Sequence, residues 1–151
     1  MDKGKQLLED ILNKAAKRRA ESTVAFEQNI RGLVQGAGFE LQEVTDSFAR
    51  IRVHVDGSYE SIYVLPWQET WRFSYFTNVK FAHAENFGVD LLSTLLVGNH
   101  TSKIGYWSLD EDDDGLALLC EWNAIEPAAL SLDEFQRICY AVTRMGKQAT
   151  Q

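Results

Sequence analysis

Residues 48–55, Phe-Ala-Arg-Ile-Arg-Val-His-Val, constrain the fold more than any other stretch of the chain. Ala49, Ile51, Val53 and Val55 fall on one side of an extended backbone, and Arg50, Arg52 and His54 fall on the other. That pattern describes a strand with one buried and one wet face. Asp56-Gly57 then gives a hairpin turn signal, and the next strand is expected from Tyr59 to about Leu65. Pro66 ends that pairing or leaves it on an edge, and Trp71 to Val79 reads as a further strand. The period of two therefore governs the chain from Phe39 to about Phe81.

The flanking segments have a helical period instead. Leu7, Leu8, Ile11, Leu12 and Ala15 recur at helical spacing, as do Phe26, Ile30, Leu33, Val34 and Ala37. Between the two stripes stand Arg18, Arg19 and Ser22. Two architectures fit that gap: two helices meeting near Glu21 to Thr23, or one long helix whose first half projects from the body. Gly36 and Gly38 supply a helix end. A second helix is expected from about Glu85 to Val97, with Leu91, Leu92, Leu95 and Leu96, closed by Gly98-Asn99. A strand from Lys103 to Leu109, an acidic turn from Asp110 to Gly115 and a strand from Leu116 to Ile125 form a second hairpin. The last helix starts at Ser131, where Ser131-Leu-Asp-Glu134 fits a capping box, and packs Phe135, Ile138, Cys139, Val142 and Met145. The expected class is α+β: an antiparallel sheet flanked by helices, in the order helix, three to four strands, helix, β-hairpin, helix.

A chain of 151 residues, 45% of them hydrophobic, can bury a core without metal or disulfide support. Cys120 and Cys139 form no CxxC pair, so reduced packing thiols are expected, and the best address is the cytoplasm. Nothing approaches the roughly 20 apolar residues of a membrane span. The net charge of −7 disfavours nucleic acid and anionic membranes as partners. The charge is uneven: residues 1–20 hold six basic and three acidic side chains, net +3, which leaves −10 on the rest. A basic helical extension of residues 1–20 ahead of a single domain of residues 21–147 follows. That extension could rest on acidic surface of its own body, of a twin subunit or of a partner.

Asp110-Glu-Asp-Asp-Asp-Gly115, with Glu121 further on, satisfies the EF-hand calcium-loop expression. Its neighbours, however, read as strands, and an extended strand carries Glu121 about 20 Å beyond Gly115. A looser calcium site on Asp110, Asp112 and Asp114 needs no Glu121, and it stands against a plain solvated hairpin tip. His54, His83 and His100 have no zinc-binding spacing and read as surface or packing residues. Gly36-Ala-Gly38 lacks a dinucleotide fingerprint, no GxSxG elbow or phosphate loop exists, and Cys120 and Cys139 sit on apolar faces. No catalytic residue and no cofactor is assigned. Trp71, Phe73 and Tyr75 share one strand face, which is either core or an anchor for a partner. The leucines of the second helix pose the same choice between burial and a dimer seam.

The element order, the acidic turn within Trp107-Ser-Leu-Asp-Glu-Asp-Asp-Asp-Gly115 and the downstream Ser131-Leu-Asp-Glu-Phe135 resemble the type III secretion chaperones and the related YbjN-like domains over residues 21–147. The resemblance implies an acidic, often homodimeric, non-enzymatic protein whose sheet and helix surfaces hold a segment of another protein. The expected function is accordingly a chaperone-like or regulatory protein-binding module, with a calcium or small-ligand sensor using the 110–121 turn as the alternative.

Overall fold

The computed structural model describes residues 2–83, 88–102, 105–112, 115–125 and 130–148; the side chains of residues 18–24, 101, 112 and 125 lie outside that description. In chain order come α1 (Lys3–Ala37), β1 (Glu40–Val44), β2 (Ala49–Val55), β3 (Ser58–Trp67), β4 (Thr70–Phe81), α2 (Val89–Thr101), β5 (Tyr106–Asp112), β6 (Gly115–Ile125) and α3 (Leu132–Gln148). The strands form one antiparallel six-stranded sheet in the order β1-β2-β3-β4-β6-β5. None of the described helices is long and apolar enough to cross a membrane.

The first helix is continuous. The polar gap at residues 18–22 does not break it, which settles the choice between two helices and one in favour of a single 35-residue helix. Asp2 caps its start by accepting from the Gly4 N–H at 3.0 Å, and Gly38 ends it at φ +74°, with its own N–H returned to the last turn. Phe26, Ile30 and Val34 on the second half are buried, whereas Leu7, Leu8, Ile11 and Leu12 on the first half are more than half exposed.

Strand alternation divides the sheet into two faces. Ala49, Ile51, Val53, Ile62, Val64, Trp71, Phe73, Tyr75 and Cys120 point to the helix-covered face, and all are buried. The second half of α1 and the apolar stripe of α3 close that face. Phe26 meets Trp71 edge-on at 5.4 Å, and Phe135 meets Phe73 at 5.9 Å. Each such side chain taken out of water contributes about 1.5–3 kcal/mol. Trp71, Phe73 and Tyr75 are thus core and do not anchor a partner.

The turns follow their local chemistry. Val55 pairs with Ser58 across Asp56 (φ 51°) and Gly57 (φ 82°), a two-residue hairpin of the primed type. A second tight turn at Gln68 (φ 55°) joins β3 to β4. Pro66 stays within β3, opposite Trp71, but the β2 ladder stops at Ala49–Val64, so the strand has a neighbour on one side only at that point. At α3, Ser131 accepts from the Glu134 N–H at 3.1 Å, as the capping pattern predicts.

Three boundaries differ from expectation. The second helix extends past Gly98-Asn99 to Thr101, because Asn99 turns its amide to the backbone of Trp107, donating to the carbonyl at 3.1 Å and accepting from the N–H. A residue read as a stop is a bracket between helix and strand; residues 84–87, part of the expected start, lie outside the description. The expected strand of 103–109 begins at Tyr106, with 103–104 also outside the description. The acidic turn is also shorter than its sequence implies. Asp110, Glu111 and Asp112 extend β5 and pair with Ala117, Leu116 and Gly115.

At the far end of α3, Lys147 donates to the Val55 carbonyl and to Ser58, and Tyr75 donates to Glu60 at 3.1 Å. Gly146 packs so closely on the Tyr75 ring that a Cβ there would overlap it. Gly146→Ala is expected to destabilise the fold by about 1–3 kcal/mol, read as a lower thermal midpoint. Burial and the neighbouring Glu60 push the Tyr75 hydroxyl up to about 12 from 10.0. Because the folded state holds the proton more tightly than the unfolded one, this contribution is complete below pH 10 and is lost as the pH rises towards 12. Tyr75→Phe is expected to flatten the stability profile across that window in denaturant titrations.

Candidate functional site: the open face of the sheet

The sheet face opposite the helices carries Phe48, Tyr63, Leu65, Phe76 and Leu119 beside Arg72, Ser74, Ser108 and Glu121. All the described helices that pack on the sheet do so from the other side. Alternation dictates the composition of this face: the residues between the core positions of β2, β3 and β4 all emerge on it. Tyr63 lies between Phe48 and Phe76, at ring distances of 5.9 Å and 5.1 Å. With Leu65 these rings line a shallow depression of about 360 Å³. Phe76 remains 43 % exposed, and the aromatic row ends against solvent.

A polar cluster borders that depression. Arg72 Nη2 donates to both carboxylate oxygens of Glu121, at 3.0 Å and 2.9 Å. The Ser74 hydroxyl donates to one oxygen at 3.0 Å, and the Ser108 hydroxyl to the other at 2.9 Å. Tyr106 lies opposite Glu121 on β5. The Glu121 side chain is 4 % exposed and that of Arg72 37 %, so the arginine covers the acid and keeps one edge in water. Burial works against the Arg72 charge, but the Glu121 carboxylate outweighs it and raises the guanidinium pKa. Burial and the same carboxylate raise Tyr106, so its hydroxyl stays protonated. A second hollow of about 120 Å³ joins the cluster to Leu65, Phe76, Leu109, Asp110 and Leu119.

Only part of the sequence-derived site is brought together here. Glu121, read as the twelfth position of a calcium loop, is fully engaged inside the sheet by Arg72 and two serines. Asp110 lies on β5; the Asp112 side chain, Asp113 and Asp114 lie outside the described residues, so the Asp110, Asp112, Asp114 grouping has no described geometry. Strands on both sides of the turn replace the two helices an EF-hand requires. His54 stacks on Tyr59 at 4.6 Å at the exposed end of β2, His83 is exposed just after β4, and His100 is exposed on α2. Burial pushes the Cys120 thiol up to about 12 and holds Cys139 far above the ordinary thiol range, so both behave as packing groups.

The aromatic row of Phe48, Tyr63 and Phe76 escaped sequence reading, although the signal was present. Trp71-Arg-Phe-Ser-Tyr-Phe76 alternates two sets, and the larger rings drew attention to the set that forms the core. Removing either partner of the ion pair separates their roles. Arg72→Met leaves Glu121 buried without its cation and is expected to cost about 3–5 kcal/mol. Glu121→Gln leaves an arginine that already reaches water and should cost clearly less. Equilibrium denaturation of the two variants checks the order.

No family model and no curated protein sequence matches the chain. Among solved structures, YbjN of E. coli, described as a candidate transcription regulator, matches with a TM-score of 0.54 and 16% identity, over 80% of this chain and 82% of that one. At this level of identity the likeness concerns the backbone arrangement alone. The chain thus has a YbjN-like α+β fold, an antiparallel sheet with its helices gathered on one side.

Proposed function

We propose that the chain is a non-enzymatic protein-binding module, chaperone-like or regulatory, that holds an extended segment of a partner protein on the open face of its sheet. The observation that carries this reading is the aromatic depression of Phe48, Tyr63, Leu65 and Phe76 next to the Arg72–Glu121 pair. Exposed aromatic rings in a concave surface give anchors large apolar contact at low entropic cost, and the neighbouring charged pair supplies orientation. An extended ligand places alternate side chains about 6.6 Å apart, close enough for two of them to enter the depression and the hollow beside it. The two free thiols are buried, in keeping with a reducing, cytoplasmic setting.

A photo-crosslinking phenylalanine analogue in place of Phe76 identifies the segment bound in cells, and the corresponding synthetic peptide is then titrated by calorimetry. Phe76→Asp is expected to weaken that peptide at least about tenfold, in the range of a lost interface anchor. Leu96→Asp, on the other side of the molecule, should leave the peptide affinity unchanged. Crosslinks without a common segment, or a peptide indifferent to Phe76→Asp, would overturn the reading.

A further inference from the structure

Among the described residues, two apolar surfaces on the helical side of the molecule are exposed, and the charged side chains beside them are of opposite sign. The first is the projecting half of α1, residues 3–17, where Leu7, Leu8, Ile11 and Leu12 are between 54 % and 61 % exposed. An isolated helix of that length is marginal in water and owes its persistence to packing of its apolar face. In a helix without a break, Leu12 stands about 21 Å beyond Phe26, the first buried residue among the described side chains of α1, and the exposed stripe stands clear of its own body.

The second surface is the groove between α2 and the edge strand β5. Leu92, Leu95 and Leu96 of the helix face Trp107, Leu109 and Leu118 across a cavity of about 170 Å³. Leu96 is 59 % exposed and Leu92 44 %. Asp90 starts the helix, and Glu111 follows Leu109 on the same side of β5. The arm spans about 22 Å and α2 about 20 Å, so the two helices match in length.

We propose that residues 3–17 of one molecule dock in the α2–β5 groove of a second copy, reciprocally, so that two arms and two grooves close a two-fold dimer. Charge selects this occupant. Residues 3–17 hold four lysines against Glu9 and Asp10, net +2, so arm against arm would set like charges together, whereas the groove is flanked by Asp90 and Glu111. Reciprocal exchange also buries both unpartnered surfaces on both molecules, and no further copy can add. The dimer does not depend on what fills the open face of the sheet.

The test uses the full chain in sedimentation velocity and mixing experiments. Wild type is expected to be a dimer at about 10 μM and to weaken with added salt, since the pairing is partly electrostatic. An arm variant, Leu8→Asp with Leu12→Asp, and a groove variant, Leu92→Asp with Leu96→Asp, are each expected to sediment as monomers with unchanged circular dichroism. These positions are exposed, so the fold is retained. Mixed together, the two variants should form a heterodimer, because one intact arm then meets one intact groove. Three results would overturn the proposal: a monomeric wild type, a dimer that survives either variant, or two monomeric variants that fail to combine. A dimer that survives the groove variant indicates arm–arm pairing, and one that survives the arm variant indicates groove–groove pairing. Phe76→Asp is expected to leave the dimer intact, which separates failure here from failure of the peptide-binding reading.

Discussion

The pairing of β4 with β6 is the contact on which everything else in this molecule rests. Nine residue pairs run from Thr70–Ile125 to Phe81–Leu116, and every second one faces the helices. On that side Trp71, Phe73 and Tyr75 receive Phe26 and Phe135. On the other side Arg72 and Ser74 meet Glu121, and Phe76 closes the aromatic row. A slip of one residue would bury the arginine and expose the tryptophan, so core and open face are fixed by the same register. The irregularity between Phe76 and Lys80 marks the end of strict alternation, where Thr77 turns its hydroxyl to the Leu118 carbonyl at 2.7 Å.

Much of the fold was legible because local and global demands agree. Residues 48–55 alternate as a half-buried strand must, Asp56-Gly57 supports two positive φ angles, and Ser131 caps the helix it precedes. In each case a short stretch of chain decides its own conformation. Errors arose where a residue's partner lies far away in sequence. Asn99 looks like a helix stop until Trp107 is seen to bind its amide. The acids from 110 onward look like a loop until Ala117 and Leu116 are found opposite Asp110 and Glu111.

The open face was the least legible part for a similar reason. Glu121 is separated from Arg72 by 49 positions, and nothing local marks the two as a pair. Alternation does place Arg72, Ser74 and Phe76 on one side of β4, but it cannot say which side the helices will cover. Volume decides that: Trp71, Phe73 and Tyr75 offer more apolar surface, and burying them leaves the smaller, mixed set outside. A sequence reader therefore identifies the core aromatics first, while the surface that can meet another molecule emerges as what remains.

The acidic hairpin has a consequence for colloidal behaviour. β5 is an edge strand, with a row of backbone donors and acceptors that could template the next strand of a neighbouring molecule. Asp110, Glu111 and Asp112 lie within that edge, and β1, at the opposite margin, carries Glu40 and Glu43. Two such edges brought side by side would set carboxylates against carboxylates along their length. Asp110, Glu111 and Asp112 thus put charge along the margin where strand-by-strand growth into fibrils would have to begin.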